Sequence, residues 1–353
     1  MDQLLNRIKK NIDIIKSVDV SGPSFFAISS TAKIAPGYKA YCTPNRFFNC
    51  FHSTGCIIFT QAQAEKIALF VDGLTDYILI DSEKSVVADE NAGKQKIPIV
   101  EIIAPLLKKS KLCFFKPNDI TAEAIWHFAV NALGCLQKRK VAIIGAGNVG
   151  SKAAFKFLES GCDVSIFRRT LKTAELISEA FQSLDSLNIG TILAAESPAA
   201  ACVGADIIVG ATPGVPAVTV ECIKVASPRP LCIDAGKDSF FPDTLGYAVD
   251  KGIEVFRTDI TATLEGVISS ILREELTSKL HRGRKNLAGV SIVSGGVLGR
   301  NGDIVVDSLQ RPQHLYGVAD GRGDLKHDID DVDKRKIHLL MKYIEEQQHK
   351  PVQ

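Results

Sequence analysis

Apolar residues recur along this chain in two patterns, and each pattern predicts a different kind of element. Leucines and isoleucines in residues 2–17 follow the spacing of one helix face, which predicts an amphipathic helix. Short continuous apolar runs follow, at residues 24–29, 55–60, 77–80, 112–115, 141–145, 163–167, 206–210, 231–235 and 253–256. Helix-like segments separate several of these runs, at residues 62–71, 99–108, 121–136 and 260–280. Continuous apolarity is typical of strands buried on both faces, as in a parallel sheet.

This alternation predicts an α/β protein in three parts. We expect residues 1–118 to form a small α/β domain that carries substrate and catalytic groups. Residues 119–290 are expected to form a doubly wound, parallel-sheet domain of the Rossmann type. In the C-terminal extension, residues 291–353, the pattern predicts a hairpin with Asn301-Gly302 at its turn and a final helix over 334–348.

The strongest chemical signal is a glycine-rich turn between a predicted strand and a predicted helix. Gly145, Gly147 and Gly150 form the pattern G-x-G-x-x-G. The first glycine permits a tight turn, the second lets the backbone approach a pyrophosphate, and the third lets the helix pack on the strand. The N–H groups at the helix N-terminus then face the phosphates. We therefore expect a dinucleotide to contact Gly145, Ala146, Gly147, Asn148, Val149 and Gly150.

The end of the next strand indicates which dinucleotide binds. An NAD site usually has an acidic residue there, whereas this chain has Arg168, Arg169 and Thr170. Two guanidinium groups and a hydroxyl suit a 2′-phosphate, so NADP is the favoured cofactor and NAD the alternative. The competing interpretation is a solvated basic turn in which Thr170 caps the following helix.

Residues 116–243 resemble the shikimate/quinate dehydrogenase family and the nucleotide domain of glutamyl-tRNA reductase. The segment FRRT (167–170) is similar to the family's Asn-Arg-Thr NADP signature, with Arg168 in place of the Asn. The segments ADIIVGATPG (205–214) and LCIDAGK (231–237) resemble the strand beneath the nicotinamide and its neighbour. The resemblance implies an amino-acid-dehydrogenase-like fold. The expected further cofactor contacts, at strand ends, are Ala211, Thr212, Pro213 and Asp234.

A hydride transfer at an alcohol or carbonyl needs a proton donor or acceptor near the oxygen. In the resembled family this is a Lys–Asp pair in the cleft between two domains. Asp119 is the candidate for the Asp, with a helix N-cap as its other interpretation. Lys39 is our candidate for the Lys, and Lys33 is a neighbouring alternative. Lys84 is closer to the family spacing but lies in a polar run expected to be a surface loop.

A second group of reactive residues lies between residues 42 and 56. Cys50 and His52 offer a nucleophile near a base, which suits thioester chemistry, and they join the candidate catalytic residues. The other interpretation is that Cys42 and its neighbours are buried apolar thiols among phenylalanines. Arg46 is either a clamp for a substrate carboxylate or an ordinary surface charge. The spacing does not favour zinc, and no metal is expected.

Composition narrows the partners. Lys and Arg number 42 against 40 Asp and Glu, so net charge gives no reason to expect nucleic acid or a membrane surface. Nine scattered cysteines without a CxxC pair favour reduced thiols in the cytoplasm. The expected partner is a small-molecule substrate, and a homodimer is a candidate assembly.

The leading hypothesis is an NADP-dependent oxidoreductase that transfers a hydride to or from a small polar metabolite in the inter-domain cleft. The substrate classes are hydroxy acids, keto acids and imines. One alternative is a Cys-dependent reductase of an activated acyl group or semialdehyde. The other is a non-catalytic NADP-binding sensor or scaffold.

Overall fold

A computed structural model describes residues 1–18, 22–31, 39–88, 95–184 and 190–348. The chain forms two compact units, Met1–Val267 and Ile268–Gln353. The first unit contains a five-stranded sheet and a six-stranded sheet, and the second contains a four-stranded sheet. The predicted class is therefore confirmed: a small α/β sheet, then a Rossmann-type parallel sheet, then C-terminal hairpins and a helix.

The five-stranded sheet lies in the first third of the chain. Its elements are α1 (Asp2–Ser17), β1 (Ser24–Ser29), β2 (Tyr41–Phe47), β3 (His52–Ile57), α2 (Gln61–Val71), β4 (Tyr77–Asp81), the short pair β5 (Ser85–Val87) and β6 (Lys96–Pro98), α3 (Ile99–Ile103) with a 3₁₀ turn at Ala104–Leu106, and β7 (Lys111–Phe115). The strand order is β2-β3-β1-β4-β7. Only β2 runs antiparallel to its neighbour in this sheet, so the carboxyl ends of β3, β1, β4 and β7 meet at one side.

One face of this sheet packs against helices. Ile28 and Ile80 are fully buried together with Ile8 of α1 and Ile67 of α2. Burial of one such side chain contributes about 1.5–3 kcal/mol, so this layer accounts for the regular helix spacing seen in residues 2–17.

The six-stranded sheet follows. Its elements are α4 (Pro117–Leu133), β8 (Lys140–Ile144), α5 (Asn148–Glu159), β9 (Asp163–Phe167), α6 (Leu171–Gln182), β10 (Ile192–Ala195), α7 (Pro198–Ala201), β11 (Ile207–Gly210), α8 (Val220–Lys224), β12 (Leu231–Asp234), α9 (Pro242–Asp250), β13 (Val255–Arg257) and α10 (Thr261–Leu280). All its strands are parallel, in the order β10-β9-β8-β11-β12-β13. The chain changes direction across the sheet between β8 and β11. Ligands of open α/β sheets bind at the carboxyl ends of the strands at such a point.

The continuous apolar runs form the interior of this sheet. Ile143 and Val209 are fully buried against Ala153 and Phe157 of α5. The indole Nε1 of Trp126, on α4, donates a 2.8 Å hydrogen bond to Ser160 at the end of α5, and this bond links the two helices.

The second unit contains β14 (Gly283–Leu287), β15 (Val290–Ser294), β16 (Ile304–Val306), β17 (Leu315–Val318) and α11 (Asp331–Gln348). Two antiparallel pairs are present, β14–β15 and β16–β17. The location predicted for the hairpin is wrong, because β15 and β16, which flank Asn301-Gly302, are parallel. The Gly302 carbonyl accepts a 2.8 Å bond from Lys336 of α11, and the Arg300 N–H donates to Asp303 at 2.7 Å. These bonds close the turn locally instead of joining β15 to β16.

Other differences are smaller. Neither β2 nor β10 was predicted, and the polar run at 82–98 contains the short strands β5 and β6. Within the ranges given above, no helix has both the length and the apolar character needed to cross a bilayer.

Candidate active site

The glycine turn after β8 has the geometry of a phosphate cradle. Gly145 has φ +108°, and a Cβ built there would lie 2.8 Å from the carbonyl carbon of Ala211. At Gly150 a Cβ would lie 2.2 Å from the Gly145 carbonyl oxygen. Gly147 differs: its φ is −89°, and a Cβ there would meet no described atom within 4 Å. Close packing therefore accounts for the outer two glycines, while the middle one borders open space.

Helix α5 begins at this open space. Gly147 is its N-cap and has no side chain to accept a capping bond, so the Asn148 end of α5 presents backbone N–H groups to a ligand. The N–H groups of Gly145 and Ala146 both donate to the Phe167 carbonyl, at 2.9 and 3.1 Å. These two bonds fix the turn against the end of β9. The residues present fit a dinucleotide pyrophosphate.

The basic segment after β9 lies next to this turn. Arg168 donates a 3.2 Å hydrogen bond to the Ala146 carbonyl, and Arg168, Arg169 and Thr170 are all exposed. Thr170 occupies the N-cap position of α6, but its side chain makes no capping bond in the described structure. The alternative interpretation of Thr170 as a capping side chain is therefore not realised.

The strand ends beside the turn place the remaining cofactor candidates. The Ala211 N–H donates to the Ile144 carbonyl at 2.8 Å, so Ala211, Thr212 and Pro213 begin directly beside β8. The Thr212 hydroxyl donates to the Val215 carbonyl at 2.6 Å. Asp234 lies farther along, at the end of β12.

Asp234 already has partners within the protein. Its carboxylate accepts the N–H groups of Asp238 and Ser239, at 3.0 and 3.3 Å, and lies 3.5 Å from an Arg257 nitrogen. These contacts close the turn after β12. Its contact with a cofactor stays a prediction.

A charged cluster joins the ends of β4 and β7 to α5. Glu83 accepts a 2.6 Å bond from Lys152 Nζ through Oε1 and a 2.8 Å bond from the Asn118 N–H through Oε2. Lys152 Nζ also forms an ion pair with Asp119. Lys84 Nζ donates to Asn118 Oδ1 at 3.2 Å. The cluster thus contains both Asp119 and the lysine whose spacing matches the resembled family.

Electrostatics support the ion pairs of this cluster. Burial acts to lower the pKa of Lys152, but hydrogen bonds to Asp119 and Glu83 outweigh it and raise the pKa. Asp119 lies in the first turn of α4, where a negative charge is favoured by the helix dipole. Its interpretation as a helix N-cap is wrong, because Lys116 occupies that position. The chain becomes helical at Pro117, whose fixed φ suits a first helical residue.

Polar groups at neighbouring strand ends extend the cluster. Asp81, at the end of β4, is fully buried and accepts bonds from the Ser29 hydroxyl and, at 2.8 Å, from the Glu83 N–H. Burial raises the pKa of Asp81, and the bond from Ser29 opposes that shift. Among the described residues, the buried Ser30 Oγ and Asn118 Nδ2 have no hydrogen-bond partner. The carboxyl ends of β1, β4 and β7 therefore offer hydrogen-bonding groups that a polar ligand can use.

Sequence reasoning did not identify Glu83 or Lys152. Lys152 comes two residues after the last glycine of the motif, so a basic residue on the face of α5 that meets α4 was a usable signal. Glu83 lies in the polar run taken for a surface loop, and only the pairing of β4 with β7 reveals its position.

The predicted catalytic residues do not form one site. Lys39 is exposed and precedes β2, at the opposite edge of the sheet from β7 and Asp119. Four strand spacings separate these edges by about 19 Å, which is too far for a Lys–Asp pair. Lys33 lies outside the described residues.

The cysteine–histidine group is also remote from the cluster. Cys50 and His52 lie at the amino end of β3, whereas Asp119 follows the carboxyl end of β7. His52 is buried with its ring 5.5 Å from that of Phe47. Cys42 faces Cys56 across the β2–β3 ladder, and burial raises the pKa of both thiols. These surroundings favour the interpretation of buried, unreactive thiols for Cys42 and Cys56.

Arg46 lies on β2 opposite Ser53 and is partly buried. Burial lowers the pKa of Arg46, and Asp259 acts in the opposite direction. In the part of the chain that the structure describes, no group of three or more His, Cys, Asp or Glu side chains could hold a metal ion.

Comparison with known proteins identifies the nucleotide domain. Residues 127–229 match the sequence model of the family described as Shikimate / quinate 5-dehydrogenase. The match includes the glycine turn, the basic segment and the end of β11, and it confirms the resemblance seen in the sequence. The family points to NAD(P)-dependent oxidoreductases. No curated protein sequence matches the chain.

Solved structures with a similar chain course include a dipicolinate synthase from Bacillus halodurans, with 14% identity, 73% of this chain and 98% of that protein covered, and a TM-score of 0.36. L-tryptophan dehydrogenase from Nostoc punctiforme has 16% identity, 73% and 78% coverage, and a TM-score of 0.39. CAD from Helicobacter pylori complexed with NADP(H) has 18% identity, 53% and 47% coverage, and a TM-score of 0.33.

Proposed function

We propose that this protein is an NADP-dependent oxidoreductase that transfers a hydride to or from a small polar metabolite bound at the carboxyl ends of β1, β4 and β7. The observation that carries the proposal is the glycine turn. Its outer glycines are packed, and Gly147 borders open space at an uncapped helix N-terminus. When bound, the dinucleotide supplies the hydride donor or acceptor.

The chain's own residues would hold the cofactor in two places. The N–H groups at the start of α5 receive the pyrophosphate. Arg168, which already contacts the turn, and Arg169 receive the 2′-phosphate, since their guanidinium groups can donate paired bonds to phosphate oxygens. This arrangement favours NADP over NAD.

The proton that accompanies the hydride is exchanged at the charged cluster. Asp119 is retained as the acid–base candidate, and Lys84 replaces Lys39 as its lysine partner because Lys84 contacts the neighbouring Asn118. A substrate oxygen held between Lys84 and Asp119 exchanges its proton with one of these two groups. Such a group contributes about 10²–10⁴-fold to the rate.

The chemistry of the site favours a polar substrate. Ser30 Oγ and Asn118 Nδ2 are buried polar atoms at adjacent strand ends and can bond to substrate oxygens. A hydroxy acid, a keto acid or an imine satisfies these groups, whereas an apolar ligand leaves them without partners, which is costly.

The test is a turnover screen with the purified full chain. NADPH or NADP is mixed with hydroxy acids, keto acids, imines and semialdehydes, and the absorbance of the reduced nicotinamide is followed. Asp119→Asn and Lys84→Met should each lower turnover by about 10²-fold or more while NADPH binding is kept. Cys50→Ser is the contrasting variant and should keep turnover.

Each other result identifies a different function. Turnover that survives Asp119→Asn but is lost with Cys50→Ser would contradict the proposal and favour the thioester alternative. Tight NADPH binding without turnover of any class would favour the sensor or scaffold.

A further inference from the structure

We infer that Lys152 is a positioning residue that links the phosphate-binding end of α5 to Asp119 and Glu83, so that binding of the dinucleotide orders the proton-transfer cluster. The inference rests on the proposed function for the identity of the bound ligand. The ion bridge itself is a feature of the structure alone.

The first step is the geometry of the bridge. Lys152 Nζ lies 2.6 Å from Glu83 Oε1 and is also paired with Asp119. Glu83 in turn accepts the Asn118 N–H at 2.8 Å through its second oxygen. One ammonium group therefore contacts the segment after β4 and the segment after β7 together.

The second step is the charge balance. The Glu83 side chain is only 12% exposed, and its nearest acidic neighbour within the bridge is Asp119. Lys152 is the ammonium group that touches both carboxylates. Without it, a largely buried carboxylate would face a second carboxylate with no direct counter-charge, an arrangement that drives the two apart.

The third step is the position of Lys152 on its helix. It lies in the first turns of α5, directly after Gly150, and the same helix starts at the phosphate cradle. A ligand that engages the N–H groups at Asn148 restrains this end of the helix. That restraint reaches Glu83 and the Asn118 N–H through Lys152. The bond geometry thus couples two sites through one side chain.

The chain provides a matched control one turn farther along. Lys156 lies on the same helix, is about as exposed as Lys152 and pairs with Glu123 of α4. It therefore has the same residue type, the same helix and an acidic partner, but no contact with Glu83 or Asp119 is present among the described residues. Lys156→Met should reproduce the general cost of removing an α4–α5 ion pair.

The experiment measures backbone hydrogen exchange of the full chain with and without NADPH. In the wild type, NADPH should slow exchange in residues 81–84 and 116–120 by about fivefold or more. Lys152→Met should abolish this effect while NADPH still protects residues 145–150. Lys156→Met should keep it, and Lys152→Arg should restore it, because a guanidinium group can pair with both carboxylates.

A second arm needs no cofactor. A double-mutant cycle of Lys152→Met with Asp119→Asn is followed by urea unfolding, with the fluorescence of Trp126 as the probe of this unit. We expect a coupling of about tenfold in the unfolding equilibrium constant. The matched cycle of Lys156→Met with Glu123→Gln shows how much any α4–α5 ion pair contributes.

The outcomes separate the two proposals. If NADPH does not protect residues 145–150 in the wild type, the proposed function fails, and the cycle still decides whether the bridge is coupled. If NADPH protects residues 145–150 but protection at 81–84 is absent or survives Lys152→Met, the inference is overturned while the proposed function stands. An absent coupling between Lys152 and Asp119 overturns it as well.

Discussion

A single methyl group at the glycine turn should separate folding from cofactor binding. In Gly147→Ala, the added Cβ meets no described atom within 4 Å, and the backbone φ of −89° is one that alanine adopts freely. Replacing glycine where the backbone is compatible stabilises a protein by about 0.4–1 kcal/mol, because the unfolded chain loses freedom. The variant should therefore be at least as stable as the wild type.

Its cofactor binding should nevertheless collapse. The methyl group occupies the open space through which the pyrophosphate approaches the start of α5. Each charge-assisted bond lost there costs about 1.5–3 kcal/mol. Loss of two such bonds is at least about 3 kcal/mol, which weakens Kd more than about 100-fold.

Gly150→Ala is the matched opposite case. Its Cβ would lie 2.2 Å from the Gly145 carbonyl oxygen, so the turn or the helix must move. Overpacking of this kind costs about 1–3 kcal/mol, and we expect lower stability together with weaker binding.

Two assays check this contrast. NADPH affinity is measured by fluorescence titration, and stability is measured by urea unfolding with Trp126 as the probe. Wild-type NADPH affinity in Gly147→Ala would refute the placement of the pyrophosphate at this turn. Unchanged stability in Gly150→Ala would refute the packing role of the third glycine.

Two further predictions concern other parts of the chain. In the second unit, Asp333→Asn removes a buried carboxylate that pairs with Lys326 and Lys336, and should destabilise that unit by about 2 kcal/mol, as seen by hydrogen exchange in residues 315–340. The bond from Lys326 lowers the pKa of Asp333 despite its burial, so its contribution is present above its unfolded pKa and is lost as pH falls through the lower folded pKa. The variant should therefore lose less stability on acidification than the wild type, and an equal loss would contradict this account. Lys39→Ala should leave turnover within about twofold of the wild type, because Lys39 is at the far edge of the sheet from Asp119; a loss near 10²-fold would restore it as a catalytic residue.

The nucleotide domain could be predicted from sequence because its signals are local. Buried parallel strands such as 141–145 are continuous apolar runs, and the glycine pattern lies directly between a strand and a helix. The strand β2 escaped prediction because it is a polar edge strand with Pro44 within it, where the usual alternation is weak. The strand β10 is also an edge strand and is short.

The charged cluster could be predicted only in part. The family resemblance indicated Asp119, but its partners come from segments far apart in sequence, and the strand order decides which of them meet. Lys84 was given less weight than Lys39 because its polar run looked like a solvated loop, yet the β4–β7 pairing places it beside Asn118. The turn at Asn301-Gly302 shows the same limit, since a strong local turn signal does not determine which strands pair.

The measurement that tests the central claim most directly is a fluorescence titration of the full chain with NADPH and with NADH, repeated on Arg168→Asp. The account predicts tighter binding of NADPH by at least about tenfold, and loss or reversal of that preference in the variant, because the introduced carboxylate repels a 2′-phosphate and suits a free ribose. Binding of neither nucleotide to the wild type would contradict the dinucleotide site itself. An NADPH preference that survives Arg168→Asp would contradict the role given to the basic segment.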